Sequence, residues 1–195
     1  MPDTWETLEH DCKNCRECSL WETRTNVVFG VGPVPSPIVF VGEGPGQQED
    51  LSGRPFVGAA GQLLDRMLAA IGMTREQVYI CNIVKCRPPR NRVPEADERA
   101  ACMDYLRQQV ALVRPKVIVC LGSTPTRALL GEEMRITRDR GVWQLRKGVW
   151  FMPTFHPAAL LRDEDKKRPA WQDFQAIRDK LMELGVYPGK AEGGA

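Results

Sequence analysis

Four short, nearly unbroken apolar runs punctuate the chain: Ile38–Val41, Val78–Cys81, Val117–Leu121 and Val149–Met152. Runs of this length without polar alternation predict strands buried on both faces of a parallel sheet. Between and after them, apolar residues recur every three or four positions. Leu63, Leu64, Met67, Leu68 and Ile71 form one helical stripe, closed by Gly72. Pro94-Glu95 opens a second helix, with Met103, Leu106, Val110 and Val113 inward and Pro115 as its stop. Ser123 is placed to cap a short helix that runs to Leu130 and ends at Gly131. A last helix spans about Pro169 to Leu184, with Trp171, Phe174, Ile177 and Leu181 inward. Strands alternating with helices predict an α/β fold: a single-domain, three-layer α/β/α arrangement around a mostly parallel four-stranded sheet. There is no repeat or interdomain linker. One domain is expected over 1–187, followed by a disordered tail, Pro188–Ala195.

This pattern locates a site before any chemistry is considered. Open α/β sheets bind ligands beyond the carboxyl ends of their strands. Those ends are Gly42–Gly46, Asn82–Lys85, Gly122–Ser123 and Thr154–His156.

Composition narrows the class. The 195 residues are 43% hydrophobic, enough for one sizeable core. No run approaches the roughly eighteen apolar residues of a membrane span. The opening Met1-Pro-Asp-Thr-Trp-Glu6 lacks the pattern of a signal peptide. A soluble cytoplasmic protein is therefore expected, in which clustered cysteines bind metal or do chemistry rather than pair.

Seven cysteines are unevenly placed. Cys12, Cys15 and Cys18 form C-x-x-C-x-x-C, while Cys86 and Cys102 lie far downstream. All-sulfur ligation points to zinc or an iron–sulfur cluster, and the spacing leaves open which of the first three participate. Cys81 and Cys120 fall inside strand runs and are read as buried small hydrophobes.

Net charge is only +2, but cations concentrate locally. Lys85–Arg92 holds four and no acid, and Arg135–Arg140 holds three Arg against one Asp. Each reads equally as solvated surface or as part of a nucleic-acid footprint.

The turn Gly42-Glu43-Gly44-Pro45-Gly46 lacks the full dinucleotide spacing, and no helix is expected at Gly46. Its backbone could instead meet the edge of a base. Phe56, in Gly53-Arg-Pro-Phe-Val-Gly58, is either a core anchor or a stacking platform. Asn82 ends a strand, where an amide offers a donor and an acceptor together. His156, ahead of Pro157, is the histidine best placed for chemistry; His10 sits in a polar N-terminal helix.

Five segments together resemble the family 4 uracil-DNA glycosylases. They are Cys15-Arg-Glu-Cys18-Ser-Leu with Arg24-Thr25; Val41–Asp50; Gly53–Gln62; Tyr79–Arg92; and Phe155–Arg162. The likeness runs from about Cys15 to Leu184. It implies a monomeric DNA-repair enzyme without membrane association that acts on uracil-containing DNA, single- or double-stranded. The enzyme hydrolyses the N-glycosidic bond and releases free uracil. A non-catalytic iron–sulfur DNA-binding module is the alternative. The resemblance implies a [4Fe-4S] cluster on Cys15, Cys18, Cys86 and Cys102, with Cys12 spare. It also implies uracil contacts from the backbone of Gly42, Glu43 and Gly44, from Phe56 and from Asn82, and an anion-stabilising His156.

Gly44 stands where better-known uracil glycosylases carry an aspartate, leaving Glu43 and Glu49 as the nearby carboxylates. Gly46 replaces the aromatic that bars thymine, a task Glu49 could assume. DNA contacts are expected from Lys85, Arg87, Arg90, Arg92, Leu161 and Arg162. Leu160–Arg162 is read as a loop wedged into the duplex or as a short helix packed on the core.

Overall fold

The computed structural model describes residues 4–189. Its centre is a sheet of strands β1 (Ile38–Gly42), β2 (Tyr79–Asn82), β3 (Val117–Leu121), β4 (Gln144–Arg146) and β5 (Val149–Thr154), in the order β2-β1-β3-β5-β4. The first three strands and β5 run parallel, and β4 pairs antiparallel with β5 at the edge. The expected class is correct, with five strands in place of four. The added strand is short, and Leu145 is exposed there, so no apolar run announces it.

Alternate side chains of β1 serve two cores. Ile38 and Phe40 face α3 (Ala59–Ala70) and α8 (Lys167–Glu183), meeting Leu64, Leu68, Phe174 and Ile177. Val39 and Val41 face the other layer, with Leu106 and Val113 of α4 (Ala96–Val113) and Leu130 of α5 (Ser123–Leu130). Cys81 and Cys120 lie in this second core, fully buried as expected. The remaining helices are α1 (Trp5–Asn14), which packs on α4, and the short α2 (Gln47–Ser52), α6 (Ile136–Asp139) and α7 (Pro157–Arg162).

Four local expectations require correction. Trp171 is 36% exposed, because the inward face of α8 at that level is Ala170, packed with Phe155 and Leu160. The buried face of α4 is broader than expected: Glu98, Cys102 and Gln109 are buried beside Leu106 and Val113, while Met103 and Val110 pack half-buried against the same core. Two of those positions are polar: Glu98 binds Arg92, and Gln109 donates to the Phe29 carbonyl and the Tyr79 hydroxyl, while its Oε1 has no partner among the described residues. Gly122, not Ser123, is the N-cap of α5. A helix does begin after Gly46, which caps α2. The expected tail falls mostly outside the described residues; at its start, the Pro188 carbonyl accepts from Gln77 at 2.8 Å.

Parallel pairing aligns the carboxyl ends of the strands. Gly42 is the partner of Asn82, and Leu121 that of Thr154. The polar residues that follow these positions therefore emerge on one rim.

Candidate uracil pocket and thiol cage

The rim opens into a cleft of about 800 Å³ whose walls include Glu43, Glu49, Phe56, Asn82, Thr124 and His156. Its narrowest point depends on Gly42. A Cβ there would strike Asn82 Oδ1 and come within 2.7 Å of Phe56 Cζ, so a glycine is what lets strand end, amide and ring converge. Asn82 is 2% exposed.

Phe56 adopts φ of 53°, a left-handed conformation costly for an aromatic residue and held only where its surroundings impose it. Three groups impose it. Arg75 Nη2 donates to the Pro55 and Phe56 carbonyls at 3.0 and 3.1 Å. Glu49 Oε1 accepts from Val57 and Gly58 N–H at 2.9 and 2.8 Å. Gly61 leaves room for the Phe56 carbonyl. Sequence reasoning missed Arg75, which sits outside every motif; only the fold brings it under the Phe56 loop.

The second oxygen of Glu49 accepts from Gly46 N–H at 3.1 Å and closes a capping box on α2. A Cβ on Gly46 would lie 2.8 Å from that oxygen. The carboxylate thus occupies the volume a side chain at 46 would take.

His156 packs against Phe56 with ring centroids 5.5 Å apart. Its Nδ1 accepts from Ala158 N–H at 3.1 Å, which places the ring proton on Nε2. Burial, reinforced by the Arg162 charge, pushes its pKa down to about 4, against a smaller opposing effect of Glu49. The imidazole is therefore neutral at physiological pH. Thr124, which sequence reasoning also missed, donates its hydroxyl to Glu43 Oε2 and holds that carboxylate in the cleft.

A second, small void has Cys12, Cys15, Cys18, Cys86 and Cys102 in its walls, together with Lys85. Three segments distant in sequence meet there, as the cysteine spacing predicts. Among the described residues, no three Cys, His, Asp or Glu side chains form a group able to hold a single metal ion; the thiols are distributed around the walls. Arg24 Nη1 donates to Cys86 Sγ at 3.2 Å and to the Cys15 carbonyl at 2.9 Å.

The profile of the Uracil DNA glycosylase superfamily matches residues 29–175. The chain belongs to that superfamily. It is 48% identical to a type-4 uracil-DNA glycosylase of Thermotoga maritima over 92% of this chain and 96% of that one. It is 45% identical to one of Sulfurisphaera tokodaii, covering 95% and 87%, and 44% identical to one of Archaeoglobus fulgidus, covering 90% and 92%.

In this member of the uracil-DNA glycosylase superfamily, the expected DNA-contacting cations fare unequally. Lys85 is 1% exposed and donates to the Asn82 carbonyl at 2.8 Å, so it cannot meet a phosphate. Arg92 lines the cleft but is engaged by Glu98 through two hydrogen bonds of 2.8 and 2.6 Å. Arg87 is half-buried and donates to Asn91, while Arg90 and Arg162 are exposed. In the second basic run, Arg138 pairs with Asp139 and Arg140 with buried Asp173. Leu160–Arg162 is the last part of α7 rather than a loop: Leu160 packs on the core as the helix reading expects, while Leu161 is 47% exposed beside the cleft residue Arg162.

Proposed function

We propose that the protein removes uracil from DNA by hydrolysing its N-glycosidic bond. The observation that carries this reading is the convergence of Asn82, Phe56 and His156 at aligned strand ends. A platform, an amide and a neutral imidazole face one cleft wide enough for an extruded base. Flipping the base costs a few kcal/mol. Stacking on Phe56 returns about 1–3 kcal/mol. The Asn82 amide donates to uracil O4 and accepts from N3–H; cytosine reverses both partners and leaves them unpaired. As the bond breaks, negative charge grows on the base, and His156 Nε2–H donates to O2. Glu43, steadied by Thr124, orients the attacking water. Glu49 stands over Gly46, where the methyl of thymine would enter.

Cys15, Cys18, Cys86 and Cys102 would hold a [4Fe-4S] cluster, in keeping with a void onto which separate segments bring their thiols. When bound, the cluster supplies a covalent staple between the N-terminal segment and the Cys86–Cys102 loop, and no redox step. A brown holoprotein with broad absorbance near roughly 400 nm is expected. Arg90, Leu161 and Arg162 contact the DNA, and the enzyme acts as a monomer.

Incubation with a labelled uracil oligonucleotide followed by alkali tests the reading. Strand cleavage at uracil with repeated turnover is expected, and an uncut strand with the cluster intact would leave only the non-catalytic module. The depressed His156 pKa adds a pH prediction. Single-turnover rates should hold from about pH 8 to 5 and collapse near 4, where the imidazole takes a second proton and displaces the Ala158 N–H bond. A fall centred near the ordinary histidine value of about 6.5 would contradict the buried neutral ring. Glu49→Ala should admit thymine, giving measurable release from thymine-containing DNA where the parent gives none.

A further inference from the structure

Lys85 is the most conspicuous buried group that the proposed reaction leaves unused. Its side chain is almost completely enclosed, and no carboxylate pairs with it among the described residues. A buried cation without an opposing charge is strongly disfavoured. It lines the thiol void beside the cysteines. Its backbone N–H also bonds to Cys102. On its other side, the ammonium donates to the carbonyl of Asn82, the residue proposed to read uracil.

The segment between these contacts is short and stiff. Asn82 and Cys86 are four positions apart. Ile83 N–H donates to the Gly42 carbonyl, Val84 N–H to that of Glu43, and the Lys85 carbonyl accepts from Val28 N–H. The opposite wall is tied in the same way. Asp50, beside Glu49, accepts from Thr25 and Asn26 N–H, directly after the Arg24 that contacts Cys86.

We propose that Lys85 is a positioning residue joining the thiol cage to the base-reading site: its ammonium balances the anionic cage and at the same time fixes the Asn82 carbonyl. This rests on the reading of the protein as a uracil glycosylase with a cluster in the cage. An anionic cluster would hold the Lys85 side chain in place by attraction. Lys85 in turn holds the end of β2 in register with Gly42. The two sites are then coupled, and the coupling is reciprocal.

Lys85→Met tests this, because methionine keeps the aliphatic volume and removes the charge and the donor. In the holoprotein, three changes are expected. Iron loss to a chelator should accelerate about 10–100-fold, the scale of outer-shell substitutions at metal sites. The cluster's reduction potential should move negative, since reduction loses a neighbouring cation. The uracil-to-cytosine ratio of kcat/KM should fall at least about tenfold. Parental values for all three would overturn the proposal, as would a change in iron retention without a change in base discrimination. Should the variant not fold, the parent decides. Saturating free uracil should shift the cluster potential, and an unchanged potential would refute the coupling. A parent that retains its cluster but fails to cut uracil DNA would sink the glycosylase reading instead.

Discussion

Asn82→Ala is expected to lower kcat/KM on uracil-containing DNA by about 10²–10³-fold, through lost hydrogen bonds to the base in a dry site. The magnitude follows from burial. Asn82 is 2% exposed and stands against Gly42 and Phe56, so a small side chain leaves uracil O4 and N3–H facing apolar surface. Each unsatisfied group costs about 1–3 kcal/mol. Discrimination should collapse with activity, because cytosine then meets the same featureless wall. The backbone carbonyl that receives Lys85 survives the substitution, so the cage should keep its iron. Single-turnover rates on matched uracil and cytosine oligonucleotides measure both quantities. Undiminished preference for uracil would move base reading to the backbone of Glu43 and Gly44.

The second large effect belongs to His156. His156→Ala should cut kcat by about 10²–10³-fold with little change in KM, because its N–H bond tightens only as the base acquires charge. The structure accounts for how a neutral ring performs this task. Ala158 N–H occupies Nδ1, so the proton is confined to Nε2. Burial and Arg162 keep the ring from taking a second proton. A donor fixed in tautomer and direction needs no reorganisation when charge develops. A raised KM with unchanged kcat would recast His156 as a binding group.

The layers and most of the walls could be read in the residues because each rested on a local signal. Continuous apolar runs marked four strands, and their carboxyl ends marked the site. Asn82 and His156 were found as polar residues placed where strands stop. The errors share a cause. Lys85 looked like a DNA contact because Arg87, Arg90 and Arg92 follow it, yet the chain enters the core there and closes the cage around it. Arg92 does line the cleft, but the fold also ties it to Glu98, a carboxylate that hydropathy would place in solvent.

The chain alone therefore determined the α/β fold class and the polar rim where its strands end, since periodicity acts within a few residues, while the choice among the cysteines and the assignment of the uracil contacts rested on the family resemblance. Tertiary structure alone decided which cations are buried or paired and which are exposed, how Arg75 and Glu49 force Phe56 into its left-handed conformation, and which tautomer His156 carries. Those are decided by partners far away in sequence, and by the desolvation that only a packed interior imposes.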